Sequence, residues 1–258
     1  MIHPTAVIYP GAELAADVEI GPFAVIGPFV RIGRGTSVGA HAVVEGWTEI
    51  GEENRIFQMA SVGAIPQDLK YQGEETRLRI GNRNTIREFA TLHLGTVTGD
   101  AETTVGDDNL FMAYSHVAHD CHIGNGVVMA NCATLAGHVK IEDYSIIGGL
   151  CAIHQFTRIG RHSMIGGGTM VGRDVPPYTI AATEDKRDAT LRGLNLIGLK
   201  RRGFSDEAIT ELKKAYRLLT SDIMLKEAVE RMKAELQPFP EVTYFINFIE
   251  SAQRGICR

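Results

Sequence analysis

Residues 123–170 of the chain read IGNGVV MANCAT LAGHVK IEDYSI IGGLCA IHQFTR IGRHSM IGGGTM, eight consecutive units of six residues. Each unit begins with Ile, Leu or Met, and its fifth residue is Val, Ala, Ser, Cys or Thr. An aliphatic residue at every sixth position cannot line one face of an α-helix, whose turn contains 3.6 residues. The spacing suits a coil of short strands that points one aliphatic side chain inward per unit. Stacked coils bury these side chains as a continuous column.

The same unit continues on both sides, and 26 units lie between Ile2 and Pro176. This repeat resembles that of the hexapeptide-repeat acyltransferases. The resemblance implies an all-β left-handed parallel β-helix with three units in each coil, whereas the usual crossover rule predicts the opposite hand. We therefore expect a β-helix over residues 1–177.

Two inserted loops interrupt the repeat, one at residues 68–79 and the other at residues 98–104. Three units separate them, so with three units per coil both loops leave the same corner, one coil apart. Long loops on a rigid scaffold are usually functional, and the alternative is a solvated excursion. We predict a functional site at this corner.

After the last unit the pattern changes, and residues 178–258 are predicted to form a linker and an α-helical C-terminal domain. We expect the link at 178–190 to be irregular. Ser205 and the acidic residues after it are typical of a helix N-terminus. A second helix is predicted over 222–236, and Pro240 is predicted to begin a third.

Composition excludes several classes of protein. Of the 258 residues 44% are hydrophobic, too many for a disordered chain, and the formal net charge of −5 gives no support for nucleic-acid binding. Neither a signal peptide nor a run of about 18 apolar residues is visible, so we expect a cytoplasmic protein without membrane insertion. Four cysteines without a CxxC motif indicate reduced thiols: Cys121, Cys132, Cys151 and Cys257.

Histidines concentrate near the predicted corner, and the stretch YSHVAHDCH contains three of the nine. His119 falls on the coil face that leads to the corner with both loops. One coil later the same position is Gly137, and the position of Asp120 becomes His138, about 5 Å away in strand spacing. An outward imidazole beside a carboxylate and an exposed backbone N–H resembles a general base with an orienting acid.

Two alternatives to a general base are open. Surface histidines are often solvated side chains without a function, which is the usual case for a single one. Three histidines can also bind zinc, and His119, His122 and His138 would be its ligands. Because His122 lies on a corner and His119 on a face, we predict that no metal is bound.

Six motifs make the resemblance specific to the UDP-N-acetylglucosamine acyltransferase family: PQDLKY (66–71), SHVAHDC (115–121), LAGHV (135–139), HQF (154–156), DVPPY (174–178) and LKRRGFS (199–205). The similarity spans the whole chain. It implies transfer of a 3-hydroxyacyl chain from acyl carrier protein to the 3-hydroxyl of UDP-N-acetylglucosamine, the first step of lipid A biosynthesis. It also implies a homotrimer and no cofactor.

The resemblance implies roles for individual residues. His119 is the general base, Asp120 orients it, and the Gly137 N–H stabilises the oxyanion. Met164 and Gly167 line the acyl groove, and a groove left open at Gly167 favours donors of about twelve to fourteen carbons. Eight residues bind the sugar nucleotide or line its cleft: Gln67, Asp68, Lys70, His116, His138, Gln155, Asn195 and Arg201.

The sequence departs from the family at three places. Leu94 stands where arginine is usual, which predicts a less charged floor one coil from His119. Ile197 stands where glutamate is usual near the nucleotide, and the link at 181–190 is longer than usual and lacks the GNxA pattern. These changes surround the acceptor pocket, so a 3-amino analogue of the sugar, acylated on nitrogen, is the alternative acceptor.

Other classes of protein fit less well. The N-acyltransferase that acts later in the same pathway carries an extra N-terminal domain, whereas here the units begin at Ile2. The helical tail and the PQDLKY loop argue against a CoA-dependent acetyltransferase. A non-enzymatic scaffold would favour one flat, regular face, but here loops and histidines interrupt the corner.

Overall fold

The computed structural model describes residues 1–183 and 188–258. In these residues, four α-helices follow a long series of short strands. In chain order the helices α1 to α4 are Leu196–Arg201, Asp206–Thr220, Leu225–Glu235 and Pro240–Glu250. In chain order the strands β1 to β27 are Val7–Ile8, Glu13–Leu14, Glu19–Ile20, Val25–Ile26, Arg31–Ile32, Ser37–Val38, Val43–Val44, Trp47–Ile50, Arg55–Ile56, Ser61–Ala64, Arg77–Ile80, Thr85–Ile86, Thr91–His93, Glu102–Val105, Leu110–Phe111, His116–Val117, His122–Ile123, Val128–Met129, Thr134–Leu135, Lys140–Ile141, Ile146–Ile147, Ala152–Ile153, Arg158–Ile159, Met164–Ile165, Met170–Val171, Thr179–Ala182 and Thr190–Leu194.

The strands form three sheets, and the chain passes from one sheet to the next at each turn of a coil. Sheet A contains every third strand from β3 to β24, followed by β26 and β27; sheet B runs from β1 to β25 and sheet C from β2 to β23 in the same steps. Strands of successive coils are parallel, as in the pairing of Ile147 with Ile165. The predicted fold class, a left-handed parallel β-helix with a small helical domain, is confirmed.

The core of the β-helix is the column that the repeat predicts. In most units the first residue is the second residue of a two-residue strand and points inward, and Leu135, Ile147 and Ile165 are fully buried. The residue before it points outward, so the outward positions are free to vary. Residues at the corners between sheets often have a positive φ, and Asp120 is one of them at 57°.

Both inserted loops leave the corner between sheets B and C, one coil apart, as predicted. The first loop covers residues 65–76, between β10 and β11, and the second loop covers residues 94–101, between β13 and β14. The end of each predicted insert belongs to a strand, because β11 and β14 are each four residues long and pair with each other.

The link after the repeat is more ordered than the sequence predicts. β26 pairs in parallel with β24, and β27 then pairs antiparallel with β26. The remainder of the link, residues 184–187, lies outside the described residues. The predicted helices correspond to α2, α3 and α4; Ser205 caps α2 by accepting a hydrogen bond from the Ala208 N–H at 3.1 Å, and Pro240 begins α4. The short helix α1 is not predicted by the sequence.

None of the described helices is both long and apolar enough to cross a lipid bilayer.

Candidate active site

A histidine and a carboxylate form a close pair at the corner that carries both loops. His119 and Asp120 lie on the turn between β16 and β17, and His119 Nδ1 is 2.8 Å from Asp120 Oδ2. The Asp120 side chain is fully buried, whereas 13% of the His119 side chain is exposed. A hydrogen bond from Nδ1–H to the carboxylate leaves Nε2 as the basic nitrogen. Among the described residues, Nε2 has no hydrogen-bond partner.

The second loop holds the Asp120 carboxylate through hydrogen bonds from Thr96. The Thr96 N–H donates to both oxygens of Asp120, at 3.0 and 3.2 Å, and the Thr96 hydroxyl donates to Oδ2 at 2.6 Å. The Asp120 N–H donates to the hydroxyl of Thr103. Burial alone raises the pKa of Asp120, but the hydrogen bonds from His119 and Thr96 outweigh it, so its pKa is lowered. Asp120 therefore stays ionised.

His138 lies one coil beyond this pair, as the repeat predicts. Its ring meets the His119 ring edge to face at 5.1 Å and stacks on Phe156 at 4.5 Å. His138 Nε2 is 3.8 Å from Asp120 Oδ2. Burial lowers the pKa of His138, so this ring is biased towards its neutral form.

A second histidine pair, His93 and His116, lies on sheet B, and the sequence predicted a role only for His116. His116 Nδ1 is 2.6 Å from the Thr91 hydroxyl oxygen, and its ring meets the edge of the buried His93 ring at 4.9 Å. Burial lowers the pKa of His93 to about 4 and also lowers the pKa of His116. The proximity of His93 to His116 follows from the parallel pairing of β13 with β16.

Gly137 lies directly beside His119. A Cβ at Gly137 would collide with Nε2 and Cε1 of the His119 ring, so a side chain here would displace the imidazole. The described residues provide no acceptor for the Gly137 N–H, which is available to a ligand.

A cleft of about 620 Å³ runs along sheet B and ends at His119 and Gly137. Its outward sheet positions carry small or flexible side chains, and Gln67 of the first loop reaches it. His154 and Asp188 also line the cleft, and the sequence predicted no role for either residue. The complete lining is Gln67, His116, Ala118, His119, Thr134, Leu135, Ala136, Gly137, Ala152, Ile153, His154, Met170, Val171, Gly172 and Asp188.

Several residues predicted for the site lie beside this cleft or away from it. Asp68 is half-buried and accepts a hydrogen bond from the N–H of the exposed Lys70, while Gln155 is half-buried on the corner. Asn195 is buried and caps α1, and Arg201 is exposed at the end of that helix.

The two residues predicted for the acyl groove also lie outside this cleft. Met164 is on sheet A, and Gly167 is on the turn that leads from sheet A to sheet B. The single chain does not bring either of them to His119.

The prediction that Leu94 lies on the floor of the site is wrong. Its side chain is buried in the core and packs close to Gly46, so it forms no floor of the cleft. The cause is an irregularity between β10 and β13, which pairs Ala64 with His93 instead of Leu94. Ile197, the other residue that differs from the one usual in the family, is exposed on α1.

The hydrogen bonds that Asp120 already accepts disfavour the alternative of a zinc site. His119, Asp120 and His138 offer ligand atoms within 4.8 Å of one another. However, Asp120 Oδ2 already accepts hydrogen bonds from His119 and Thr96. The structure places His119 on the corner and His122 on β17, the reverse of the prediction. His122 contacts Asp100 and a threonine instead. The donor set favours a hydrogen-bonded pair.

Comparisons with known proteins agree with this geometry. A family model for hexapeptide repeats of bacterial transferases matches residues 102–137, and one for the second domain of UDP-N-acetylglucosamine O-acyltransferases matches residues 174–257. An acyl-[acyl-carrier-protein]–UDP-N-acetylglucosamine O-acyltransferase from Trichlorobacter lovleyi is 61% identical, covering 100% of this chain and 99% of the relative. One from Thermodesulfovibrio yellowstonii is 56% identical with the same coverage. The crystal structure of a UDP-N-acetylglucosamine acyltransferase from Bacteroides fragilis is 43% identical, with a TM-score of 0.96 and 100% coverage of both chains.

Proposed function

The chain belongs to the acyl-[acyl-carrier-protein]–UDP-N-acetylglucosamine O-acyltransferases, and on that premise we propose that His119 is its general base. It is an acyltransferase that moves an acyl chain from acyl carrier protein to UDP-N-acetylglucosamine, the first step of lipid A synthesis. The observation that carries the proposal is the 2.8 Å contact between His119 Nδ1 and the buried Asp120 carboxylate.

The first step is removal of a proton from the sugar 3-hydroxyl. His119 Nε2 accepts this proton while the hydroxyl oxygen attacks the carbonyl carbon of the 3-hydroxyacyl thioester. An imidazole suits this task because it ordinarily titrates near neutral pH. Asp120 holds the ring by its Nδ1–H and stabilises the imidazolium that forms.

The second step is collapse of the tetrahedral intermediate. The Gly137 N–H donates to the oxyanion, an interaction typically worth about 3 kcal/mol. When the C–S bond breaks, the thiolate of the carrier leaves and takes the proton from His119 Nε2. The sugar ester and the carrier thiol are the products, and the imidazole returns to its neutral form.

The cleft supplies the binding groups for the sugar nucleotide. Gln67 and His116 line it, and the His138 ring meets the His119 ring edge to face. We assign Asp68 and Lys70 of the first loop, together with Gln155 at the rim, to the same substrate. Asn195 and Arg201 are assigned to the nucleotide or its diphosphate, because a guanidinium fits phosphate oxygens.

These assignments need a second copy of the chain, and we propose a homotrimer. An exposed apolar ridge follows the corner between sheets A and B through the β-helix, and such ridges mark protein contacts. Its members are Phe23, Met59, Phe89, Tyr114 and Leu150, each between 43% and 73% exposed. A ring in which each ridge faces the threefold axis places sheet B of one chain beside sheet A of the next.

This arrangement also gives the acyl chain a wall. The outward positions of sheet A become apolar towards the C-terminal coils: Leu110, Val128, Ile146 and Met164. Facing the cleft of a neighbour, they form with Gly167 an apolar channel for the acyl chain. Light scattering should report a trimer, and a monomer with full activity would contradict this proposal.

The conditions of the reaction also follow from the residues. No step needs a metal or a cofactor, because His119, Asp120 and Gly137 supply the base, its orientation and the oxyanion donor.

All four cysteines are free, which supports the predicted cytoplasmic location. Fractionation of cells that express the tagged protein checks this location.

The direct test is an acyl-transfer assay. Purified protein is given UDP-N-acetylglucosamine or its 3-amino analogue, with 3-hydroxyacyl carrier proteins of several chain lengths, and products are resolved by mass spectrometry. We expect an ester product from the wild-type protein and a loss of nearly all turnover in His119→Ala. Preferential amide formation on the 3-amino sugar would replace O-acylation with N-acylation. Full turnover by a folded His119→Ala variant would refute the assigned base.

A further inference from the structure

The Asp120 carboxylate lies between two imidazoles and can serve either of them. Its Oδ2 is 2.8 Å from His119 Nδ1 and 3.8 Å from His138 Nε2. A carboxylate rotates about its Cβ–Cγ bond unless its oxygens are held. The His119 ring lies against Gly137. Because His119 is the proposed base, its efficiency depends on which of the two rings the carboxylate faces.

We propose that Thr96 of the second loop is a positioning residue, which clamps the Asp120 carboxylate so that Oδ2 faces His119 and not His138. The inference rests on the proposed roles of His119 and Asp120. Thr96 contributes both its backbone N–H and its hydroxyl, and the hydroxyl bond to Oδ2 is 2.6 Å. Thr96 is 2% exposed, so water does not compete for these bonds.

The other side of the carboxylate is closed by Gly99 of the same loop. A Cβ at Gly99 would collide with the Asp120 carboxylate and with His138 Cε1. The φ of Gly99 is not among the positive ones, so glycine is required here by close approach and not by backbone conformation. The second loop therefore confines the carboxylate from two directions.

The contact of Thr96 with Asp120 affects the proton-transfer step, in which positive charge develops on His119. When His119 accepts the sugar proton, the imidazolium is stabilised by a carboxylate that is already in place and needs no reorganisation. The sugar nucleotide itself does not touch Thr96 in this scheme. Loss of the clamp should lower kcat and leave KM unchanged.

The test compares Thr96→Val, which has the same shape without the hydroxyl, with Thr96→Ser, which keeps it. A hydrogen bond to a charged group lost in this way should reduce kcat about tenfold to hundredfold. KM for UDP-N-acetylglucosamine should change less than about twofold, and Thr96→Ser should restore turnover. Thr210→Val is the matched control and should leave kcat unchanged, because Thr210 is exposed on α2 and its hydroxyl bonds the Asp206 carbonyl of its own helix.

A double-mutant cycle separates positioning from a general structural role. In an Asp120→Asn background, Thr96→Val should cause no further loss, because the group on which it acts is already disabled. An equal loss in both backgrounds, a loss confined to KM, or failure of Thr96→Ser to restore turnover would overturn the inference. Failure of the wild-type protein to acylate the sugar would instead overturn the proposed function.

A second variant keeps the inference testable if Thr96→Val does not fold. Gly99→Ala changes an exposed loop position and pushes on the same carboxylate. We expect a lower kcat with an unchanged melting temperature, and no additional loss in the Asp120→Asn background. Wild-type kcat in Gly99→Ala would show that the carboxylate is not confined by this loop.

Discussion

The two inserted loops leave the same corner, one coil apart, and are built in opposite ways. The second loop is fixed to the site, because Thr96 bonds Asp120 and Gly99 packs against it. The first loop bonds to itself, as in the contact of the Tyr71 hydroxyl with the Glu74 carbonyl, and its Leu69 is fully exposed. A loop that supports chemistry needs rigid contacts, whereas a loop that receives a substrate or a second chain keeps its surface free.

The largest effect is expected where the second loop acts, at the base. His119→Ala should lower turnover about 10²- to 10⁴-fold, because proton transfer from the sugar hydroxyl is lost. The melting temperature should be unchanged, since the side chain fills no part of the core column. His3→Ala, at an exposed position near the N-terminus, is the control and should keep wild-type turnover. A folded variant with near-normal turnover would remove His119 from the mechanism.

The first loop should affect binding and not chemistry. Gln67→Ala should raise KM for the sugar nucleotide about tenfold with little change in kcat, because Gln67 lines the cleft and, among the described residues, has no hydrogen bond to His119 or Asp120. Gln72→Ala changes the same residue type in an exposed part of the same loop and should have no effect. A fall in kcat without a change in KM would show that both loops serve the chemistry.

A smaller effect is expected at the acyl groove, which neither loop forms. Gly167→Met should shift the preference towards shorter 3-hydroxyacyl donors, since each buried methylene contributes about 0.8 kcal/mol, roughly fourfold per carbon. An added Cβ at Gly167 meets the Gly149 carbonyl oxygen at 3.3 Å, so the Gly149 backbone must move by a few tenths of an ångström to accept the side chain. Competition between donors of ten, twelve and fourteen carbons, about the range implied by the resemblance, measures the preference. An unchanged preference would exclude this position as the limit on chain length.

The last effect is on stability and not on turnover, and it is a pH dependence at the base of the second loop. His93 ends β13, and its folded pKa of about 4 lies below the ordinary value of 6.5. The unfolded chain therefore binds a proton more readily, so stability is full above pH 6.5 and falls as the pH decreases towards about 4. The loss is at most about 3 kcal/mol.

Urea unfolding at pH 7 and pH 5 measures this dependence in wild-type protein and in His93→Gln. The variant should show a weaker fall, although not a flat profile, because burial also lowers the pKa of His162 to about 4. An identical fall in both proteins would show that His93 does not contribute.

The repeat and the corner with its two loops were predictable because each depends on local spacing. A period of six fixes which side chain points inward in every coil, and counting units places His119, Gly137 and His138 in neighbouring coils. The same counting failed at Leu94, where an irregularity between two strands shifts the register by one residue. The strands β26 and β27 were missed because they lack the repeat and are formed by pairing with the existing sheet A.

By itself the sequence determined the β-helix, the corner of the site and the histidine–carboxylate pair, because adjacent residues and a fixed period need no long-range information. Tertiary structure alone decided that Thr96 and Gly99 enclose Asp120, that His93 lies against His116, and that Gly137 makes room for an imidazole. These contacts join residues separated by 18 to 24 positions in the chain. Their geometry depends on how each loop and turn closes over the coil below, and no spacing in the sequence specifies that closure.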